Sequence, residues 1–155
     1  DVERSRGLGD VYKRQARHQV ELQIPDTLAM DSYPGPLEQV LTNFLSNSLN
    51  HGFEGMEQGQ IRISARQEGS HLVLEYADNG CGIPKSSLPH IFEPFYTTKL
   101  GRGGSGLGLY IVYNLVSNVL GGSVVPHSTA GAGTRFVLRL PVDGPQRVAP
   151  AAPPH

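Results

Sequence analysis

The chain has 155 residues and a formal net charge of −1, with 13 Lys and Arg against 14 Asp and Glu. This length suits one domain with a single core, and the balanced charge argues against a nucleic-acid-binding protein, which carries a basic surface. The charges are unevenly spread, because no Asp or Glu occurs from Pro94 to Val142. The basic residues of that half are Lys99, Arg102, Arg135 and Arg139. They suit a polyphosphate ligand or form an ordinary solvated surface.

The single cysteine, Cys81, excludes a disulfide within the chain and fits a reducing compartment. No apolar run approaches about 18 residues, and no signal-peptide pattern is visible. The sequence therefore predicts a cytoplasmic domain that makes no contact with a membrane.

Both ends are predicted to lie outside the domain. The segment Asp10 to Gln15, DVYKRQ, reads like a translated sequencing adapter. Residues 1–15 are therefore interpreted as a non-native fusion scar, with a polar helix end as the alternative. Residues 142–155 are rich in Pro and Ala and predict a disordered tail. The domain itself is expected to span residues 16–141.

Alternating apolar and polar residues predict five β-strands. They are expected at His18–Pro25, Gln60–Glu68, His71–Asp78, Gly122–Ser128 and Gly133–Pro141. In the first strand, Val20, Leu22 and Ile24 should form one buried face. The sequence EGS between the second and third strands indicates a hairpin.

Helical spacing of apolar residues predicts a helix from Pro36 to His51. Its core stripe consists of Leu37, Val40, Leu41, Phe44, Leu45 and Ser48. A short helix is expected from Lys85 to His90. The last helix, from Ser105 to Leu120, is apolar nearly all round and should be buried on most sides before Gly121 and Gly122 end it. Together these elements predict an α+β fold, a two-layer sandwich with a mixed, largely antiparallel sheet and helices on one face.

A row of amides lies beside the stripe of the first helix. Asn43, Asn47 and Asn50 fall on one shoulder of that helix, and His51 follows them. An amide can offer oxygen to a metal ion and N–H to a phosphate, which a carboxylate cannot do. The row indicates either a site for a metal–phosphate ligand or ordinary polar helix surface.

A single acid ends the third strand. Asp78 is followed by Gly80 and Gly82 in the sequence DNGCGIP. Such glycines let a flat ligand approach the backbone while the carboxylate accepts its N–H, as an adenine amino group would offer. The alternative is a common Asp-Asn-Gly turn.

Two phenylalanines flank a proline in the irregular segment Ile91 to Lys99. Phe92 and Phe95 suit an aromatic-anchored loop, which could be a lid. A small hydrophobic cluster under a loop is the alternative, and both can hold together.

The sequence GRGGSGLGLYIV, Gly101 to Val112, runs from a glycine-rich loop into the last helix. Its glycines fit the dinucleotide pattern G-x-G-x-x-G, but no strand leads into it and no acid follows about 20 residues later. The Walker pattern fails as well, because no lysine follows the glycines. What remains is a helix start at Ser105 to Leu109, where unpaired backbone N–H groups and the helix dipole favour an anion.

The order of these motifs is more specific than any one of them. QVLTNFLSNSLNH, DNGCGIP, FEPFYTTK and GGSGLGL resemble, in that order, the N box, first glycine box, F box and second glycine box of sensor histidine kinases. GAGTRFVLRLP resembles the closing strand of that family. The resemblance covers residues 20–141 and implies the Bergerat ATP-binding fold of the GHKL superfamily, with ATP and Mg²⁺ as cofactors.

The resemblance also assigns roles to residues. It implies that Asn47 is the Mg²⁺ ligand and that Asn43 supports phosphate or ligand geometry. His51 would lie near the phosphates or ribose. Asn47 and His51 would thus carry the catalytic roles. Asp78 would take the adenine amino group in a pocket shaped by Gly80 and Gly82, and Phe92 would anchor the lid together with Phe95. The other residues implied at the nucleotide are Ile83, Thr97, Thr98, Lys99, Gly104, Ser105, Gly106, Leu107, Gly108, Leu109 and Thr134.

The family's phosphate acceptor is a histidine in a preceding dimerisation helix, within a pattern like H-E-[hydrophobic]-x-x-P. None of the six histidines of this sequence has that context. The resemblance therefore implies a catalytic domain that donates the γ-phosphoryl group of Mg·ATP to the dimerisation/histidine-phosphotransfer domain of its parent kinase. A receiver domain of a response regulator would take the phosphoryl group next. The alternatives are a GHKL serine kinase of the anti-sigma type and a non-catalytic nucleotide-binding module.

Overall fold

The computed structural model of the protein describes residues 18–25, 34–96 and 107–143. The interpretation of residues 1–15 therefore concerns a part of the chain outside the described residues, and so does that of the tail at residues 142–155 apart from Val142 and Asp143. Val142 is half-buried, and its backbone N–H donates to the carbonyl oxygen of Ser70 at 2.9 Å. The elements are β1 (Gln19–Gln23), α1 (Pro34–Asn47), a π-helical turn (Ser48–Gly52), β2 (Gln60–Glu68), β3 (His71–Asp78), a 3-10 turn (Leu88–His90), α2 (Gly108–Asn114), a second π-helical turn (Leu115–Val119), β4 (Ser123–Thr129) and β5 (Gly133–Pro141). No helix in these parts of the chain is long and apolar enough to cross a bilayer.

The strands form one five-stranded sheet in the order β1-β2-β3-β5-β4. Strand β1 runs parallel to β2, and the other neighbouring pairs are antiparallel. Helices α1 and α2 share one core with the inward-facing residues of the strands. The predicted two-layer α+β fold is therefore confirmed, and the predicted bounds of β2, β3 and β5 match the structure.

An aromatic contact positions α1 over the centre of the sheet. Phe44 is fully buried, and its ring lies 4.4 Å from that of Phe136 on β5 and 5.2 Å from that of Tyr76 on β3. Aromatic pairs at this spacing add stability beyond the area that they bury. Because Ser48 lies one turn beyond Phe44, this contact brings the end of α1 to the end of β3, where Asp78 stands.

The prediction that β1 buries one face is wrong. All five residues of β1 are exposed, with Val20 at 42% and Leu22 at 64%, and Ile24 beyond the strand is 46% exposed. Strand β1 lies at the edge of the sheet, and α1 packs over β3 and β5 instead. The alternating pattern predicted the strand itself correctly.

Helix α2 is shorter and less buried than predicted. It begins at Gly108 rather than Ser105, which lies outside the described residues, and it continues as the second π-helical turn. The buried face consists of Val112, Val116 and Leu120, whereas the opposite face exposes apolar side chains. The exposed side chains are Tyr110, Ile111 and Tyr113. Gly121 adopts φ +72°, which agrees with the predicted end of the helix, while the short helix expected from Lys85 is only the 3-10 turn.

The face of the sheet opposite the helices carries an ion-pair network. Glu75 on β3 accepts hydrogen bonds from Arg66 at 3.2 Å and from Arg135 at 3.3 Å. Partial burial of the Glu75 carboxylate opposes ionisation, but the two arginines outweigh it and hold its pKa below the ordinary value of 4.5. The network therefore ties β2, β3 and β5 together through one carboxylate.

Replacing Glu75 by Gln should lower the free energy of unfolding at neutral pH by about 1 kcal/mol or less, because exposed ion pairs contribute little. A carboxylate whose pKa is depressed by folding stabilises above its unfolded pKa, and this stability is lost as the pH falls through the lower folded-state pKa. The difference in the free energy of unfolding between the variant and the unmutated chain should therefore shrink below pH 4.5. Urea unfolding across this range measures it, with Glu57→Gln as an exposed control. If this difference in free energy stays constant with pH, the depressed pKa of Glu75 is contradicted.

Candidate functional site

The Asp78 carboxylate is held by three elements of the fold. Its Oδ1 accepts hydrogen bonds from the backbone N–H of Gly80 at 2.9 Å and of Thr134 at 3.2 Å. Its Oδ2 accepts a hydrogen bond from the hydroxyl of Ser48 at 2.6 Å. Bonds to both oxygens fix the plane of the carboxylate as well as its position.

Two buried hydroxyls stand behind this carboxylate. Ser48 and Tyr76 are each 1% exposed, and their oxygens lie 2.8 Å apart. An ionised carboxylate only accepts hydrogen bonds, so Ser48 donates to Asp78 and accepts from Tyr76. Burial raises the pKa of Tyr76; the hydrogen bond between Tyr76 and Ser48 opposes this rise, and the charge of Asp78 adds to it. Tyr76 therefore keeps its proton and remains a donor.

The sequence prediction did not include Ser48 or Tyr76 among the site residues. The sequence pattern indicates only that Ser48 belongs to the core stripe of α1 and Tyr76 to a strand. A signal was present in each case. Ser48 is the polar member of that stripe, and Tyr76 lies two residues before Asp78 and so points to the same face of β3.

The turn after Asp78 packs directly against neighbouring backbone. A Cβ atom on Gly80 would collide with the carbonyl group of Gly52, which accepts a hydrogen bond from the N–H of Cys81 at 2.8 Å. Gly82 adopts φ +77°, and a Cβ atom there would collide with the carbonyl oxygen of Thr129. Only glycine fits both positions, so the predicted pocket-shaping glycines lie between the end of α1 and the β4–β5 turn.

Ser128, on β4, links Ile83, the residue after Gly82, to β5. Its hydroxyl accepts a hydrogen bond from the N–H of Ile83 at 2.7 Å and donates to the carbonyl oxygen of Gly133 at 2.8 Å. The Thr134 hydroxyl oxygen lies 3.0 Å from the hydroxyl oxygen of Ser128. The structure thus places Ile83 and Thr134 near Asp78, with Ser128 as their link, while their contact with a nucleotide stays a prediction.

Asn43 joins α1 to the start of α2. Its amide donates to the backbone oxygen of Gly108 at 3.1 Å, and its oxygen accepts from Gln39 at 2.8 Å. Gly108 follows directly on the glycine-rich loop, so Asn43 holds the two motifs together. The role of Asn43 in supporting phosphate geometry stays a prediction. Asn50 donates to Ser46 at 3.0 Å.

Asn47 and His51 are half-buried where α1 passes into its π-helical turn, next to Ser48. Such wide turns occur at functional sites in many helices. Within residues 18–25, 34–96 and 107–143, no cluster of three or more His, Cys, Asp or Glu side chains is placed to hold a metal ion. Mg²⁺ prefers oxygen ligands and is often held by few protein groups together with phosphates, so the amide oxygen of Asn47 fits it.

In the described part of the segment predicted as a lid, Ile91 to Tyr96, one phenylalanine packs against core aromatic rings and the other does not. The ring of Phe92 lies 5.4 Å from Tyr113 and 6.4 Å from Phe136, whereas Phe95 is 67% exposed and has φ 65°. The expectation that Phe95 anchors the lid is therefore wrong in this structure. Leu109 packs on the core, and Leu107 precedes α2. The remaining expected residues, Thr97, Thr98, Lys99, Gly104, Ser105 and Gly106, lie outside the described residues.

The sequence matches the family described as histidine kinase-, DNA gyrase B-, and HSP90-like ATPase over residues 33–144. Among curated relatives, the alginate biosynthesis sensor protein KinB of Pseudomonas aeruginosa is 41% identical over 106 residues, which is 68% of this chain and 17% of KinB. The sensor protein TorS of Escherichia coli (strain K12) is 40% identical over 121 residues, which is 78% of this chain and 12% of TorS. The chain thus spans less than a fifth of the length of these relatives.

The fold also matches a solved structure. The crystal structure of full-length ShkA in complex with AMPPNP superimposes with a TM-score of 0.71 and 26% sequence identity, covering 87% of this chain and 27% of ShkA. The matched family region contains α1, the Asp78 turn, α2 and the last two strands. The chain therefore belongs to the histidine kinase-, DNA gyrase B-, and HSP90-like ATPase family and is an ATPase catalytic domain of the kind found in sensor histidine kinases.

Proposed function

We propose that this chain binds Mg·ATP and donates the γ-phosphoryl group to a histidine on the dimerisation domain of a two-component sensor kinase. A receiver domain of a response regulator would then accept the phosphoryl group from that histidine. The sensor kinases KinB and TorS support this proposal by their similarity to the chain. A domain that uses ATP in this way would work in the cytoplasm.

The geometry of Asp78 is the observation that carries the proposal. Each carboxylate oxygen has two acceptor positions. Oδ1 has two donors, from Gly80 and Thr134, whereas Oδ2 has one, from Ser48. Oδ2 therefore has a second acceptor position to which no donor among the described residues is hydrogen-bonded. One N–H of an adenine amino group suits this position.

The asparagines of α1 would lie on the phosphate side of the same nucleotide. Asn43 ties α1 to Gly108 at the start of α2, and Asn47 is one helical turn further along α1. We assign the amide oxygen of Asn47 to Mg²⁺ and place His51 near the phosphates or ribose. A bound Mg²⁺ would neutralise charge on the phosphates.

The contribution of this domain to phosphoryl transfer would be positioning and charge neutralisation. Its side chains hold the nucleotide, while the acceptor histidine and any base that assists it belong to the dimerisation domain. A serine kinase of the anti-sigma type shares such a nucleotide pocket, but the sensor kinase relatives favour a histidine acceptor. A non-catalytic nucleotide-binding module would bind ATP in the same way without transferring phosphate.

Mg²⁺ alone should barely raise the melting temperature of the chain, whereas Mg²⁺ with a non-hydrolysable ATP analogue should raise it clearly. The reason is that one neutral amide oxygen binds Mg²⁺ weakly until phosphate oxygens complete its coordination. Asn47→Ala should remove most of the Mg²⁺-dependent part of the shift and leave the part due to nucleotide alone. Thermal unfolding with and without EDTA measures both parts.

The matched control for this experiment is Asn118→Ala, which removes an exposed amide from the second π-helical turn. It should not change the Mg²⁺-dependent shift. Equal shifts with Mg²⁺ alone and with Mg²⁺ plus the analogue would overturn the assignment of Asn47.

A further inference from the structure

We infer that Ser48, held by Tyr76, is a positioning residue that gives the nucleotide site its selectivity for a 6-amino purine. This inference rests on the proposed function, because it requires Asp78 to meet the base. It extends that function by naming two buried hydroxyls that would not touch the nucleotide themselves. They would act through the orientation of one carboxylate.

Ser48 restrains the Asp78 carboxylate at its second oxygen. The two backbone N–H groups of Gly80 and Thr134 both bind Oδ1. Ser48 provides the one contact to Oδ2 from a side chain among the described residues, at 2.6 Å. Without it, the donors to Oδ1 would hold the carboxylate from one side only, and the range of its rotation about the Cβ–Cγ bond would widen. Ser48 therefore helps to fix the position of Oδ2 and the direction of its remaining acceptor position.

Tyr76 sets the direction in which Ser48 donates. Both hydroxyls are buried, so water does not compete for them. A serine hydroxyl has one hydrogen, and the proton that Tyr76 keeps points to the serine oxygen 2.8 Å away. The serine hydrogen must then point to Asp78. Hydrogen bonds in such a chain also strengthen one another.

The remaining acceptor position of the Asp78 carboxylate distinguishes purines by the group that they carry at position 6. With Ser48 on Oδ2, the carboxylate has room for one more donor, which an adenine 6-amino group supplies. Guanine places a carbonyl oxygen at the corresponding position, so two acceptors would face each other. A purine without a 6-substituent would leave the position empty. Ser48 should therefore matter for ATP and not for a nucleotide that lacks the amino group.

Calorimetric titration of the full chain with ATP and with purine riboside 5′-triphosphate, which lacks the 6-amino group, tests the inference. The unmutated chain should bind ATP about tenfold or more tightly than the analogue, because a hydrogen bond to a charged group is lost. Ser48→Ala should weaken ATP binding about tenfold and leave binding of the analogue unchanged. Tyr76→Phe should weaken ATP binding in the same selective way but less, because Ser48 can still donate.

Ser46→Ala is the matched control, since Ser46 lies on the exposed side of α1 two residues away. It should change the affinity for neither nucleotide. Circular dichroism and the melting temperature establish that each variant folds, and Tyr76→Phe carries the same comparison if Ser48→Ala unfolds.

Two results would overturn the role of Ser48 while leaving the proposed function intact. One is an equal loss of affinity for ATP and the analogue in Ser48→Ala, which indicates a structural effect. The other is unchanged ATP affinity in both variants. Failure of the unmutated chain to bind ATP would overturn the inference together with the proposed function.

Discussion

Replacing Asp78 by Asn should lower the affinity for ATP by about tenfold or more and narrow the preference for ATP over GTP. The carboxylate accepts from Ser48, Gly80 and Thr134, which are all donors. An amide group in its place must turn its own NH₂ towards one of these donors. An unpaired buried group costs about 1–3 kcal/mol, and about 1.4 kcal/mol is a factor of ten in affinity.

Titration calorimetry with ATP and GTP on both proteins measures this effect. The unmutated chain should prefer ATP by about tenfold or more, since guanine presents a carbonyl oxygen to the carboxylate. Asp143→Asn, which removes an exposed carboxylate beyond β5, is the control for the lost charge. Comparable affinities of the unmutated chain for ATP and GTP would contradict the adenine role of Asp78.

The 155-residue chain should bind Mg·ATP but should not label itself with γ-³²P phosphate. Transfer needs an acceptor in line with the γ-phosphate, and a displacement of about 1 Å can cost about 100-fold in rate. None of the six histidines lies in the acceptor pattern of the family. His51, beside the expected phosphate position, belongs to the π-helical turn that continues α1, so it cannot swing into line.

A dimerisation-helix fragment of the parent kinase, added in trans, should become labelled at histidine. The same fragment with its acceptor histidine replaced by Gln is the matched control and should stay unlabelled. Transfer to the fragment would distinguish a histidine kinase domain from a non-catalytic nucleotide-binding module. Stoichiometric, acid-labile labelling of the chain by itself would contradict the prediction.

The strands and the main helix could be predicted from the sequence because their signals are local. Period-two alternation located β2, β3 and β5 within their observed bounds. The same alternation misjudged the burial of β1, since Val20 and Leu22 are exposed at the edge of the sheet. Alternation shows which residues share a face, but the place of the strand in the sheet decides whether a helix covers that face.

In the candidate site, too, some features follow from local sequence patterns and others only from tertiary contacts. Asp78, Gly80 and the asparagines of α1 were recognisable because each motif is a short stretch with unusual residues at fixed spacing. The contact of Asn43 with Gly108 could not be read from the sequence, because it joins residues 65 positions apart. Such a contact depends on how two helices cross.

The sequence by itself determined the nucleotide motifs, their order and the acid at the end of β3. Only the tertiary structure decided that Ser48 and Tyr76 stand behind that acid. Ser48 is 30 positions from Asp78 and 28 from Tyr76, and they meet because Phe44 packs against both Tyr76 and Phe136. A buried hydroxyl on a helix stripe looks like core in the sequence, because its partner is supplied by a strand that only packing brings within hydrogen-bond distance.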